Sequence, residues 1–254
     1  MEHVRLNRGL LAEKERLVLL WLAARTPRFI CPDHLTALGL ISGLLTAIGF
    51  AACHISPWFL VLALSGLFLN WLGDSLDGTL ARYRKIERPQ FGYFLDHSCD
   101  LIAFTFIFLG LGVSPYFTLS SALFALSMYL LFSSYTYLKV FIVQRHHLSY
   151  GGMGATELRL MIACWALFAH WAGPDFIHAP FLDFQAIDVV IGVLWGLSFA
   201  GFVWIVVNDL RQVDDNMRQT DSPRPEPLKI SIEWPPRETE TGDGSIRVTA
   251  GLSR

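Results

Sequence analysis

Six apolar runs, near residues 35–54, 58–80, 93–113, 116–138, 157–173 and 185–207, constrain this chain more than any other feature. Each approaches the roughly 20 residues that an α-helix needs to cross a hydrocarbon core about 30 Å thick. At that depth no water satisfies backbone N–H and C=O groups, so such runs fold as helices. The expected fold class is an all-α integral membrane protein with six transmembrane helices. Composition agrees: 53% of the 254 residues are hydrophobic and only 17% charged, too apolar a balance for a soluble domain of this length.

Positive charge sets the expected orientation. Six of the 20 Lys and Arg precede the first run, four follow the second, three lie around the fourth-to-fifth connection and seven follow the sixth; the opposite connections, 54–57, 113–115 and 173–184, carry none. Positive residues stay on the cytoplasmic side, so both termini are expected there. A net charge of −2 points away from nucleic acid. Cys31, Cys53, Cys99 and Cys164 lack C-x-x-C spacing and are expected to be free thiols.

Three segments follow. In residues 1–30, Val4, Leu6, Leu10, Leu11, Leu17, Leu20 and Trp21 alternate at helical spacing with Arg5, Arg8, Lys14 and Arg16, the pattern of an amphipathic juxtamembrane helix lying in the interface plane. Its charged start lacks a small-residue cleavage pattern, so no cleaved leader is expected. Pro27 breaks that helix, and Pro32-Asp33 leads into the first span with Asp33 placed as its N-cap. Residues 31–210 form the membrane domain. Residues 211–254 read as a polar, mostly disordered cytoplasmic tail, with 228–234 and 245–249 as the alternative, a short hairpin.

Four carboxylates interrupt the apolar pattern: Asp74 and Asp77 near the end of the second run, Asp96 and Asp100 near the start of the third. The spacings i, i+3 and i, i+4 put each pair on one helix face, and up-and-down topology brings both pairs to one membrane side. Charge at bilayer depth costs several kcal/mol unless it is paired or bound to a cation. Oxygen ligands of this kind suit Mg²⁺ or Mn²⁺, and four can hold two ions, as in two-metal phosphoryl transfer. Gly78 and Ala81 leave room for a flat group, and Arg82 supplies a fixed charge suited to phosphate. Arg145, His146, His147 and Arg159 read as cytoplasmic loop charges able to meet an anionic head group.

At these residues, Asp74-x2-Asp77-Gly78-x2-Ala81-Arg82 followed by Gly92-x3-Asp96-x3-Asp100, the chain resembles the CDP-alcohol phosphotransferase family, with a nine-residue spacer between the halves. Ile30-Cys-Pro32-Asp33-His-Leu-Thr36, Asp96-His97-Ser-Cys99-Asp100 and Thr156-Glu157 look like stretches of its choline and ethanolamine branch. The resemblance implies that Asp74, Asp77, Asp96 and Asp100 bind two divalent ions, Mg²⁺ or Mn²⁺, and that Asp77, Gly78, Ala81 and Arg82 bind the CDP moiety. It assigns the role of general base to Asp100, and subsidiary roles to Gly92, Asp33, Thr36 and Glu157. It further implies a CDP-linked donor (CDP-alcohol or CDP-diacylglycerol), an alcohol or lipid acceptor, release of CMP, and a homodimer in the bilayer. Two other readings draw on the same residues: an intramembrane prenyltransferase, with Asn70, Asp74 and Asp77 as one acidic box and Asp96 and Asp100 as another, and a divalent-cation transporter. The first leaves Gly78, Ala81 and Arg82 without a role; the second lacks repeats and a broken-helix pair.

Overall fold

The computed structural model describes residues 12–142, 154–181, 183–219, 238–240 and 246–248. In chain order the elements are α1 (Ala12–Arg25), α2 (Pro32–Ala52), α3 (Phe59–Arg84), α4 (Pro89–Gly112), α5 (Leu119–Ile142), α6 (Ala155–Ala172), α7 (Pro174–Ile177), β1 (Pro180–Phe181), β2 (Phe184–Gln185), α8 (Ala186–Gln219), β3 (Glu238–Glu240) and β4 (Ile246–Val248). The chain divides into two compact units, Met1–Phe202 and Val203–Arg254.

Among the described residues, α2, α3, α4, α5 and α8 are long and apolar enough to cross a membrane, which makes this a multi-pass integral membrane protein. That count is five where six runs were expected. The remaining run is α6, which is helical but only 18 residues long and carries Glu157, Arg159 and His170. Those side chains lower its apolar content below that of its neighbours.

Only the second half of the expected amphipathic helix is described, as α1; Val4 to Leu11 lie outside the described residues, and so do Arg145, His146 and His147. α1 stops at Arg25, ahead of Pro27, as the missing N–H and the ring of a proline require. Leu19 and Ala23 are buried with Leu35, Leu76 and Leu80, while Leu17, Val18 and Trp21 on the other side are exposed. Arg84 at the end of α3 fastens this region by donating to the carbonyls of Ile30 at 2.6 Å, Thr26 at 2.8 Å and Pro27 at 2.9 Å. It thereby satisfies carbonyls freed where α1 ends.

Asp33 is not the N-cap of the first span. That position belongs to Cys31, with Pro32 at the first helical position, where a proline lacks nothing by lacking its N–H. Asp33, one residue further in, forms an ion pair with Arg88.

Within the first unit α2 packs along both α3 and α4, which touch each other much less. Small residues make this possible. A Cβ on Gly73 would lie 2.5 Å from the Leu35 carbonyl oxygen and 2.6 Å from the Gly39 nitrogen; on Gly110 it would lie 2.3 Å from Ala47 Cα; on Gly43 it would lie 2.9 Å from Ala103 Cβ. Helices in lipid gain no hydrophobic drive from meeting, so close backbone approach at glycine and alanine supplies the packing. The expected pair of adjoining spans is therefore a trio, with α2 against both carriers of the aspartates. Phe50, Phe104, Ile107, Leu111 and Ala166 belong to the larger buried cluster.

In the second unit β3 pairs antiparallel with β4, Thr239 opposite Arg247. β4 falls within the expected 245–249 segment, but its partner comes from the polar run after Pro235-Pro236; 228–234 lie outside the described residues. The expected boundary between 210 and 211 falls inside α8, which continues to Gln219.

Candidate functional site

α3 presents Asn70, Asp74 and Asp77 in successive turns, and α4 presents Asp96 and Asp100 one turn apart. One carboxylate oxygen from each of Asp74, Asp96 and Asp100 lies within 4.8 Å of the other two, and all three residues are half-buried. Asp77 is held differently. It is buried, accepts a hydrogen bond from Thr36 Oγ1 at 2.5 Å and accepts another from the Gly78 N–H. The arrangement is three carboxylates around one point, with the fourth anchored beside them by α2.

A cavity of about 10 Å³ lies among Thr36, Gly39, Asn70, Asp74, Asp96 and Asp100. It has room for one water-sized sphere, hence for an ion and not for a nucleotide. The donor set is all oxygen and anionic, and its spacing lets the three groups reach a common centre; hard divalent cations fit such a set. These residues can hold a metal ion.

Two residues outside the expected set complete the cluster. Arg159, on α6, is 3% exposed; its Nη1 donates to Asp74 Oδ2 at 2.8 Å, its Nη2 to Asp100 Oδ1 at 3.3 Å and its Nε to Asn70 Oδ1 at 2.6 Å. The guanidinium also lies 4.9 Å from the centroid of the Phe104 ring. Asn70, 1% exposed, passes the link on by donating from Nδ2 to the Gly39 carbonyl at 2.7 Å. This corrects the reading of Arg159 as a loop charge: one turn past the start of α6, it points into the bundle because two carboxylates there lack a counter-charge. The available signals were the position of Asn70 four residues before Asp74 and that of Arg159 four residues into α6.

The other expected residues are dispersed. Gly78 adjoins Arg82, whose Nη1 would lie 3.3 Å from a Cβ at that glycine; Arg82 is exposed and donates to Thr79 Oγ1 at 3.3 Å. Ala81 is half-buried one turn from Gly78. Gly92 is exposed, and a Cβ there would meet nothing within 4 Å. Glu157 is a cap, accepting the Gly154 N–H at 2.8 Å, in keeping with a carboxylate at a helix N-terminus. His97 stacks on Tyr137 with centroids 4.6 Å apart and meets Tyr93 edge-on at 4.1 Å.

A bundle of membrane-crossing helices that gathers carboxylates and one arginine around an ion-sized hole defines a class, the integral membrane proteins with a buried acidic centre. Within that class the sequence matches the family model of CDP-alcohol phosphatidyltransferase over residues 29–204, and the chain belongs to that family, one of phosphotransferases. Similar proteins include Cholinephosphotransferase 1 of Gallus gallus, 28% identical over 198 residues that cover 72% of this chain and 57% of the relative. Cholinephosphotransferase 1 of Danio rerio is 23% identical, with coverages of 74% and 51%, and that of Xenopus laevis is 24% identical, with coverages of 70% and 47%. The chain thus spans about half the length of these curated relatives, which fall in the branch its sequence resembles.

Proposed function

We propose that the chain transfers a substituted phosphate from a CDP-linked donor to an acceptor hydroxyl and releases CMP, as a homodimer at the cytoplasmic face of a bilayer. The observation that carries this reading is the approach of the Asp74, Asp96 and Asp100 oxygens to within 4.8 Å of one another, on the residues of the family motif. In this reading α6 is the sixth crossing, residues 1–30 rest on the cytoplasmic leaflet, 31–210 do the chemistry and 211–254 form a separate tail.

Asp74, Asp77, Asp96 and Asp100 are the residues that would hold two divalent ions, Mg²⁺ or Mn²⁺; the cavity among Asp74, Asp96 and Asp100 takes one of them. When bound, such ions neutralise and align a diphosphate. Thr36 fixes the Asp77 carboxylate through the 2.5 Å hydrogen bond. Gly78 and Ala81 admit the cytidine close to α3, outside the ion-sized cavity, while Arg82 faces the diphosphate. The Asp100 carboxylate takes the proton of the acceptor hydroxyl as its oxygen bonds to the distal phosphorus; the bond from that phosphorus to the bridging oxygen breaks and CMP leaves with the electron pair. Asp33, Gly92 and Glu157 act by supporting the entrance: Asp33 through its pair with Arg88, Glu157 through the cap of α6, and Gly92 by leaving the start of α4 open.

The relatives are named for choline phosphate transfer, which makes CDP-choline the first donor to test, with CDP-ethanolamine and CDP-diacylglycerol beside it. Purified protein in lipid is incubated with each donor, Mg²⁺ or Mn²⁺ and an alcohol or diacylglycerol acceptor, and CMP is measured. Acceptor-dependent release of CMP is the expected result. Absence of CMP with every donor and acceptor pair removes the reading.

A further inference from the structure

Arg159 already pairs with two of the carboxylates of the candidate metal site. Its two terminal nitrogens sit on Asp74 and Asp100 at 2.8 and 3.3 Å, two of the three carboxylates that converge on the cavity. Its third nitrogen, Nε, donates to Asn70 Oδ1 at 2.6 Å, and the Phe104 ring backs the guanidinium at 4.9 Å. An arginine lying beside the site only to meet substrate would be oriented toward the open side. This one is 3% exposed and spends all three of its donor nitrogens on α3 and α4.

Resting on the reading of these carboxylates as a divalent-metal site, we infer that Arg159 is a tethered internal cation that competes with the metal for Asp74 and Asp100. It keeps the carboxylates compensated when no ion is bound, and it weakens the hold on the ion. The competition is Coulombic. A positive charge within hydrogen-bond distance of two ligands reduces the negative potential that an arriving ion meets, and the low-dielectric surroundings strengthen the effect. It must also be pulled from one or both oxygens before the ion uses them. Arginine suits this task better than lysine, because its charge stays on and its planar fork engages two carboxylates at once.

The test measures Mn²⁺ binding directly on the full chain in detergent or nanodiscs, by the loss of the free-ion electron paramagnetic resonance signal and by Mn²⁺-induced change in melting temperature. Arg159→Gln removes the charge and the two terminal nitrogens while keeping a polar group at the position of Nε, within reach of Asn70. It is expected to tighten the dissociation constant for Mn²⁺ at least tenfold, to lower the melting temperature of the metal-free protein, and to enlarge the rise in melting temperature on adding Mn²⁺. Arg159→Lys, which restores one charge, is expected to return the constant toward that of the unsubstituted chain. Unchanged or weaker Mn²⁺ binding in a folded Arg159→Gln protein overturns the inference and leaves the metal site standing. If Arg159→Gln does not fold, Arg159→Lys carries the test: because lysine cannot bridge both carboxylates it is expected to bind Mn²⁺ a few fold more tightly than the unsubstituted chain, short of the Gln effect, and an unchanged or weaker constant overturns the inference. No Mn²⁺ binding by either protein removes the metal-site reading itself, together with the inference.

Discussion

Thr36 on α2 donates its hydroxyl to Asp77 Oδ2 on α3 at 2.5 Å, across 41 residues of sequence. The same hydroxyl lies 3.3 Å from the Pro32 carbonyl one turn back on its own helix, the weaker arm of a shared donor whose proton goes to Asp77. Asp77 is thus oriented by a neighbouring helix while Asp74, Asp96 and Asp100 converge. Thr36→Val keeps the shape and deletes the donor. A hydrogen bond to a charged group is worth about 1.5–3 kcal/mol, so CMP release is expected to fall about 10- to 100-fold in kcat/KM, with more Mg²⁺ or Mn²⁺ required for half-maximal rate. Steady-state kinetics across a metal titration checks this; an unaltered metal requirement separates Thr36 from the site.

Asp100→Asn is expected to reduce kcat by at least about 100-fold, the lower end of what a positioned base contributes, and to retain part of the binding of the CDP donor. Asp77→Asn loses a ligand and is expected to weaken donor binding as well as turnover. Equilibrium binding of a radiolabelled donor, set beside the rate of CMP formation, distinguishes the two. Equal loss of both properties in both variants contradicts the separate roles.

Removal of divalent ions by a chelator should abolish CMP release, and Mg²⁺ or Mn²⁺ should restore it. A ligand that binds only the folded state at 100 times its dissociation constant stabilises by about 2.7 kcal/mol, so the melting temperature is expected to rise with added ion. Asp96→Ala, which removes one of the three converging carboxylates, should flatten that rise.

Gly73→Ala and Gly92→Ala make a matched pair. The first puts a methyl 2.5 Å from a carbonyl oxygen of α2, next to Asp74; the second puts one into open space. Overpacking costs about 1–3 kcal/mol. Thermal unfolding should therefore show Gly73→Ala clearly destabilised, with activity falling because Asp74 shifts, and Gly92→Ala unchanged in stability. Any loss of CMP release in Gly92→Ala is then a direct effect on substrate.

Much of this was legible from residue types and spacing. Apolar runs give helices α2 to α6 and α8 to within a few residues at most ends, because length and hydropathy in a bilayer leave the backbone few alternatives. The aspartates were legible as a group for the same reason, since charge at depth needs a partner. What the spacing could not give is which helix faces which. The close approach of α2 to α3 and α4 depends on glycines that look unremarkable in an apolar run, and Asp77 turns to Thr36 only because α2 is there. Arg159 lies 59 residues beyond Asp100, and in sequence it looks like any basic residue next to a cytoplasmic loop. Asp33 misled because Pro32 extends α2 by one turn's start, which moves the cap back to Cys31.

The order of synthesis gives the α6 arginine one more meaning. The negative side chains of α3 and α4 emerge from the ribosome long before Arg159 does, and α6 is the least oily of the helices that would have to remain in the lipid. Each side thus supplies what the other lacks: an arginine that hydrocarbon would reject finds acids already waiting, and those acids acquire their neutralising group only when this later segment arrives. Without α6 those acids would lack this counter-charge, whereas the finished bundle carries it built in.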